Sequence, residues 1–130
     1  MIDGADGEAR VCETVMRRAA KPHQCGECRR TIERGELHEY CAMLWYDGAA
    51  EWHHHRTCAH CIAARRWLVV QCDGWCYSMV REDLEEHWNE DFTLRSMALG
   101  RLIVGMRRGW KRLTSNDLMP VPLAPITMAC

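Results

Sequence analysis

Four cysteines in the sequence are spaced as two matched pairs. Cys25 and Cys28 form one Cys-x-x-Cys pair, and Cys58 and Cys61 form another after 29 intervening residues. Two thiolates separated by two residues can bind one ion from a tight turn or from the first turn of a helix, and two such pairs complete a tetrahedron. This spacing predicts one tightly held Zn²⁺ ion. Four sulfur ligands leave no open coordination position, so the predicted zinc is structural rather than catalytic.

A second group of metal-ligating residues follows later in the chain. Cys72 and Cys76 flank a glycine, and His87 comes shortly after them. These three residues could hold a second zinc if one more residue joined them. The alternative is that the two thiols only pack beneath nearby tryptophans. The candidates for the fourth ligand are His60, His38 and Cys41.

Three consecutive histidines, His53, His54 and His55, precede the second cysteine pair. Adjacent side chains on a strand point to opposite faces, so we interpret the three as a solvent-facing strand end. A His-Asn-His nuclease would need a histidine there, an asparagine in the connection and a histidine on the helix. His55 and His60 could fill the two histidine positions, but no asparagine occurs between residues 1 and 88. Zinc-deaminase, phosphate-loop and nucleophile motifs are also absent, so we expect no enzymatic activity.

The chain around the first cysteine pair predicts a zinc knuckle, which is a tight turn that directs backbone N–H groups at the thiolates. The knuckle spans residues 23–32, and Gly26 allows the backbone to turn closely beneath the metal. Residues 37–46 then alternate between two faces, as a β-strand does. Asp47-Gly48 is a strong hairpin signal, and the return strand is predicted over residues 49–56.

A helix is predicted to follow the hairpin, with Thr57 as its cap and its end near Val70. Cys58 and Cys61 lie three residues apart in its first turn and therefore share one face. Knuckle, hairpin and helix in this order are the elements of a treble-clef zinc finger. The predicted fold class is accordingly α+β, a treble clef with flanking α-helices.

The same stretch resembles a family of small zinc-binding proteins of phages and prophages. The resemblance covers residues 17–88, about half of the chain. Its pattern is a basic segment before the first cysteine pair, an Ile-x-x-Gly-Glu turn, an aromatic-rich strand, Asp-Gly, and Thr-Cys-x-x-Cys. The resemblance implies zinc binding and a phage origin, but it implies no activity. The matching residues are Arg17, Arg18, Lys21, His23, Cys25, Cys28, Ile32, Gly35, Glu36, Tyr40, Trp45, Asp47, Gly48, Thr57, Cys58 and Cys61.

Helices are predicted on both sides of the zinc finger. An N-terminal segment, residues 1–20, is predicted to contain a short helix over residues 8–20, because its apolar residues recur at helical spacing before Pro22. The treble-clef domain is predicted over residues 21–90. It ends with an acidic helix that Ser78 is expected to cap.

Residues 91–130 are predicted to form a basic amphipathic helix and a Pro-rich tail, both packed on the same domain. The helix is predicted over residues 92–113, with an apolar stripe facing the core. The stripe consists of Leu99, Leu102, Ile103, Met106, Trp110 and Leu113. The candidate phosphate-binding residues on the opposite face are Arg101, Arg107, Arg108, Lys111 and Arg112.

Charge is distributed unevenly along the chain, although the formal net charge is only −1. Residues 81–91 carry six acidic residues and one arginine, whereas residues 92–130 carry six basic residues and one acid. Either the two segments pair with each other, or the basic face is presented to an anionic partner.

Composition limits the classes of protein that fit. A chain of 130 residues corresponds to about one domain. Nine cysteines, an odd number, cannot all pair in disulfides, and the N-terminus lacks the pattern of a signal segment. No apolar run approaches the ~20 residues that a membrane span needs. We therefore expect a cytoplasmic protein, in a bacterial host if it is phage-encoded, that has no membrane partner.

These observations favour binding over catalysis. The leading hypothesis is a zinc-stabilised, non-enzymatic interaction protein that binds a host or phage macromolecule, and the acidic helix favours a protein partner. The alternative is a DNA- or RNA-binding zinc-finger module whose basic helix neutralises phosphates. The nuclease is the weakest of the three hypotheses.

Overall fold

The computed structural model describes residues 9–47, 49–71, 74–114 and 117–121. Within these ranges the chain forms two antiparallel sheets and three α-helices, so the mixed α+β class is confirmed. The elements are β1 (Ala9–Arg18), β2 (His23–Gln24), β3 (Thr31–Ile32), β4 (Leu37–Asp47), β5 (Ala49–Cys58), α1 (Ala59–Val70), α2 (Val80–Glu90), a 3₁₀ turn (Phe92–Leu94) and α3 (Met97–Arg107).

The larger sheet has three strands in the order β1-β4-β5, and every pairing is antiparallel. The central strand places Tyr40 opposite Val15 of β1 and opposite Arg56 of β5. Strands β2 and β3 form a separate two-stranded ladder on either side of the first cysteine pair. The predicted hairpin is therefore confirmed as β4 and β5, although Gly48 of its turn lies outside the described residues.

The prediction of a helix over residues 8–20 is wrong, because Ala9–Arg18 form β1. The backbone of this segment pairs with β4 from Ala9 opposite Trp45 to Arg18 opposite Leu37. Without β1, the long strand β4 would present a row of unpaired N–H and C=O groups at the sheet edge. Strand pairing at a distance therefore overrides the weak helical spacing of the segment itself.

Two predicted helix caps are also wrong. Thr57 belongs to β5 and is buried, and Cys58 occupies the cap position of α1 without a side-chain hydrogen bond. Ser78 lies outside α2, with a left-handed φ of 71°, and Met79 is the residue that precedes the helix. The first turn of α2 does carry two acids, Glu82 and Asp83, as the dipole argument expects.

The predicted basic helix is shorter than residues 92–113. Ser96 caps α3 by accepting a hydrogen bond from the N–H of Leu99, and the helix ends at Arg107. Gly109 then takes a left-handed φ of 61°, and the N–H of Trp110 donates to the carbonyl of Gly105 at 2.7 Å. Together with the bond from Gly109 N–H to Met106, this is a Schellman motif, which reverses the chain.

The reversal has a consequence for the predicted apolar stripe. Trp110 folds back and is buried, whereas Leu113, the last residue of the predicted stripe, is 84% exposed. Beyond the reversal, Lys111 and Leu118 form a β-bridge, and the N–H of Met119 donates to the carbonyl of Trp110 at 2.7 Å. Residues 122–130 of the Pro-rich tail lie outside the described residues.

One apolar cluster joins the knuckle to all three helices. The buried members of the cluster are Ala19, Cys25, Cys28, Ile32, Cys58, Cys61, Ala64, Trp67, Leu68, Val80, Leu84, Leu99, Leu102, Ile103, Met106 and Trp110.

Within the described residues, no helix is long and apolar enough to cross a bilayer.

Candidate metal centre

The first cysteine pair lies in the turn between β2 and β3. The N–H of Cys25 donates to the carbonyl of Arg30 at 2.8 Å, and the N–H of Arg29 donates to the carbonyl of Cys25 at 3.0 Å. Arg29 has a left-handed φ of 69°, which is uncommon for a residue other than glycine. These bonds fold the backbone into a tight knuckle that holds Cys25 and Cys28 close together.

The second pair lies where the hairpin meets α1. Cys58 is the last residue of β5, and Cys61 lies in the first turn of the helix. The N–H of Cys58 donates to the sulfur of Cys25 at 3.4 Å, so the start of the helix bonds directly to the knuckle. The N–H of Gly26 donates to the carbonyl of Arg56 at 2.7 Å and ties the knuckle to β5 as well.

The four sulfur atoms form a compact cluster. They lie within 4.8 Å of one another, and all four cysteines are buried. The sulfurs of Cys25 and Cys61 are 3.9 Å apart, as are those of Cys28 and Cys58. A metal–sulfur distance of ~2.3 Å in a tetrahedron would place the sulfurs ~3.8 Å apart. The four predicted ligands therefore come together at the separations of a tetrahedral site and could hold a metal ion.

Four thiols in mutual contact cannot ionise independently. Hydrogen bonding with Cys28 is the largest influence that lowers the pKa of Cys25, to about 7, and hydrogen bonding with Cys25 lowers the pKa of Cys58. The same contacts with Cys25 raise the pKa of Cys28 and of Cys61. The cluster by itself thus favours ionisation at some sulfurs and opposes it at others. A bound cation would remove that opposition, because metal-ligating thiols are deprotonated.

An indole N–H from the C-terminal part of the chain reaches one of the four clustered sulfurs. Trp110 Nε1 donates to the sulfur of Cys61 at 3.3 Å, and its ring packs against His60 with centroids 5.1 Å apart. Gly105 provides the space, since a Cβ there would lie 2.2 Å from the Trp110 ring. The sequence placed Trp110 in a helical stripe and missed this contact. The only feature of the sequence that indicates this contact is the glycine five residues before the tryptophan.

Glu27, between the two knuckle cysteines, connects three parts of the fold. Its buried carboxylate accepts hydrogen bonds from the N–H groups of Ser78 at 2.6 Å and Val80 at 3.3 Å. This carboxylate satisfies the start of α2, which is the role that the sequence assigned to the side chain of Ser78. Glu27 Oε2 also lies 3.0 Å from Nε2 of His55. Sequence reasoning passed over Glu27, because nothing local marks a carboxylate that caps a helix about 50 residues away.

His55 departs from the predicted solvent-facing strand end. Its side chain is 8% exposed, and its ring lies 4.7 Å from that of Tyr77, whereas His53 and His54 are exposed. A Cβ on Gly26 would lie 2.3 Å from Cε1 of His55. The close approach of these two residues therefore explains why the knuckle contains a glycine at this position.

A buried cation lies beside the sulfurs. The guanidinium of Arg30 pairs with Glu36 and is 5% exposed. Burial alone would lower the pKa of Arg30, but the hydrogen bonds with Glu36 and the charge of the Cys58 thiolate raise it overall. Arg30 therefore stays charged and can offset the negative charge of metal-bound thiolates.

The second metal site remains a prediction. Within the described residues, the four-cysteine cluster is the only group of three or more ligand side chains close enough to share an ion. Cys76 is half-buried, and the ring of His87 contacts Trp67 edge-on at 5.2 Å. Cys72 lies outside the described residues, so the set of Cys72, Cys76 and His87 is untested.

The residues suggested as a fourth ligand have other contacts. His60 Nε2 donates to the carbonyl of Met119 at 2.5 Å, and His38 Nε2 accepts a hydrogen bond from Arg56 at 2.9 Å. Cys41 is buried in the larger sheet, opposite His55.

The five candidate phosphate-binding residues do not share one helical face. Arg101 and Arg107 lie on α3, but Arg108, Lys111 and Arg112 follow its end, so the predicted arrangement is wrong. Instead they divide between two cavities. The smaller cavity, of about 380 Å³, is lined by Arg101, Trp110, Arg112, Met119, Pro120 and Val121. The charged residues around the larger, of about 550 Å³, are Arg29, Arg30, Glu33, Arg107, Arg108 and Lys111.

Part of the charge asymmetry is neutralised within the molecule. Arg107 of α3 forms an ion pair with Glu85 of α2, which also lies 3.9 Å from Arg81. The acidic and basic segments are therefore neighbours that pair with each other. The larger cavity keeps three basic residues, Arg29, Arg108 and Lys111, that form no ion pair with any described residue.

Comparisons with protein-family models, with curated proteins and with solved structures found no match for this chain.

Proposed function

We propose that this protein is a zinc-stabilised interaction protein of treble-clef type, which binds a macromolecule and catalyses no reaction. The observation that carries the proposal is the burial of four cysteine sulfurs at tetrahedral separations. Knuckle, hairpin and helix follow one another in treble-clef order. Zinc is the usual ion of closed four-thiolate sites in proteins.

The surroundings of the sulfurs support a structural role for the metal. All four ligands are buried, and N–H groups of Cys58 and Trp110 donate to two of them. Such donors orient the ligands and stabilise their negative charge. A four-sulfur site also has no open position for water or substrate, so the ion would stabilise the fold and would not activate a ligand.

The histidines of the nuclease alternative have structural contacts. His55 lies between Glu27 and Tyr77, and His60 lies between Trp110 and the carbonyl of Met119. Among the described residues, neither histidine belongs to a group of ligand side chains that could share an ion. These contacts support binding over hydrolysis.

The proposed partner is an acidic surface of a host or phage protein, and the phage origin follows from the family resemblance. The larger cavity supports this choice, because Arg29, Arg108 and Lys111 surround it without ion pairs to described residues. Arg29 holds its position in a left-handed conformation that disfavours most side chains. An acidic partner would supply the missing counter-charges.

Elemental analysis of the protein purified under reducing conditions tests the zinc. We expect at least one zinc per chain, and Cys72→Ser should lower the content only if a second site exists. A zinc-free, folded protein would refute the proposal. For the partner, binding of polyglutamate should weaken with salt and should be lost in the double variant Arg108→Glu with Lys111→Glu. Unchanged binding by that variant would exclude this cavity as the contact surface.

A further inference from the structure

No described element covers one face of the three-stranded sheet. The register places Val15, Tyr40 and Arg56 side by side on this face, while Glu39 on the other face pairs with Arg65 of α1. Trp52 on the open side is 52% exposed. We call this surface the open sheet face. Its members are Glu13, Val15, Arg17, Tyr40, Ala42, Leu44, Trp52, His54 and Arg56.

Two guanidinium groups share a single aromatic ring on this face. Arg17 of β1 lies 4.1 Å from the ring centre of Tyr40, and Arg56 of β5 lies 4.6 Å from the same centre. They approach Tyr40 from the strands on its two sides. The ring attracts both cations, but it does not neutralise either of them.

Arg56 is held in a defined orientation. Its guanidinium donates to Nε2 of His38 at 2.9 Å. Nδ1 of His38 can in turn donate to the carbonyl of Glu36 at 3.3 Å, and His38 is fully buried. This chain of hydrogen bonds requires His38 to accept at Nε2. It fixes one guanidinium edge before any ligand arrives, which lowers the entropic penalty of binding.

Neither arginine has a carboxylate partner among the described residues. Glu13 is the one acidic residue of the open sheet face, and it lies four residues along β1 from Arg17. At ~3.4 Å per residue, that spacing puts their backbones ~14 Å apart. Two like charges held together without a counter-charge attract an anion. Paired guanidiniums match the oxygens of a phosphate particularly well.

Aromatic side chains continue from the arginines along β5. Trp52, His54 and Arg56 alternate onto the open sheet face, and the ring of His54 stacks on Tyr40 with centroids 5.6 Å apart. The exposed indole of Trp52 ends this row. Exposed aromatic rings beside a cationic track are typical of surfaces that bind single strands, since unpaired bases offer faces that a duplex hides.

We propose that the open sheet face binds single-stranded nucleic acid, with a phosphate held by Arg17 and Arg56 and a base stacked on Trp52. This site shares no described residue with the cavity proposed for an acidic protein. Zinc would matter for this site only because the proposed zinc stabilises the folded sheet.

Fluorescence anisotropy with a short labelled oligothymidylate tests the proposal on the zinc-loaded protein. Arg17→Gln should lower the slope of log K against log salt by about 0.7. Trp52→Ala should weaken binding roughly 5- to 150-fold, the range of one lost base stack. The control is Arg66, an exposed arginine on α1. Arg66→Gln removes the same charge outside the open sheet face and should leave affinity unchanged.

Further variants separate this site from the others. Arg56→Gln should repeat the effect of Arg17→Gln, and zinc content measured on each sample distinguishes lost contacts from lost folding. The proposal is overturned if the parent does not bind at low salt. It is also overturned if a duplex of equal length binds as tightly. Loss of binding in Arg108→Gln with Lys111→Gln but not in Arg17→Gln would likewise overturn it, because the ligand would then occupy the cavity.

Discussion

The metal end of the molecule and the far half of its hairpin are stabilised in different ways. At the metal end, which comprises the knuckle and the helices packed on it, side chains from distant parts of the sequence are buried together. In the far half, residues 42–45 and 49–54, the strands keep a regular ladder, yet their side chains are exposed or half-buried. Stability is therefore concentrated around the sulfurs, and the described side chains of the far half contribute less to it.

The hairpin depends on the metal end through its base. Cys58 ends β5 within the four-cysteine cluster, and the carbonyl of Arg56 accepts a hydrogen bond from the N–H of Gly26 in the knuckle. Backbone pairing alone stabilises a hairpin only marginally in water. Substitutions should therefore destabilise the fold less the farther they lie from the sulfurs.

Cys58→Ala should have the largest effect and should unfold the protein. Zinc binding in finger peptides contributes about 10–16 kcal/mol, which matches or exceeds the ~5–15 kcal/mol stability of a typical domain. Far-UV circular dichroism together with zinc analysis would measure the loss. Cys12→Ala, on β1, serves as the matched control and should retain both zinc and fold. Similar stabilities of the two variants would contradict the ligand assignment.

Trp110→Ala should be the next most severe change. The indole is 1% exposed, fills the space above Gly105 and donates to Cys61. Truncation of a buried tryptophan destabilises by about 3–5 kcal/mol. Denaturant unfolding of the zinc-loaded protein would measure this change. Trp110→Phe should recover part of the stability but not the N–H contact, and it should still release zinc more readily to a competing chelator.

Gly26→Ala should destabilise by about 1–3 kcal/mol, because the new methyl group would overlap His55 and displace it from Glu27. Gly74 supplies the control, since no atom of the described residues would lie within 4 Å of a Cβ there. Gly74→Ala should therefore be nearly neutral. Thermal unfolding of both variants at saturating zinc would compare them, and equal melting temperatures would argue against the close approach of His55 to the knuckle.

Trp52→Ala should have the smallest effect on stability, within about 0.5 kcal/mol, because exposed substitutions seldom change more. Chemical denaturation at fixed zinc would detect a larger change. If the free energy of unfolding fell by more than ~2 kcal/mol, the far half of the hairpin would contribute to the core. The contrast between the two regions would then not hold.

Local sequence was sufficient to predict the four-cysteine cluster and the hairpin. Cys-x-x-Cys spacing is a property of a single turn, and Asp-Gly between alternating residues is a property of two adjacent strands, so both were predicted with their correct partners. The end of α1 at Val70 was likewise predicted, although its start was not.

Three features were decided only by the tertiary structure. Ala9–Arg18 became a strand because the edge of β4 was available for pairing, and Glu27 became a helix cap because the knuckle lies against the start of α2. Trp110 became a partner of Cys61 because a Schellman turn reversed the chain after α3. Spacing within the sequence encodes interactions among near neighbours. An unpaired strand edge and an uncapped helix need hydrogen-bond partners, and the space above a glycine needs a side chain to fill it. In each case the partner is a distant residue that only the fold brings there.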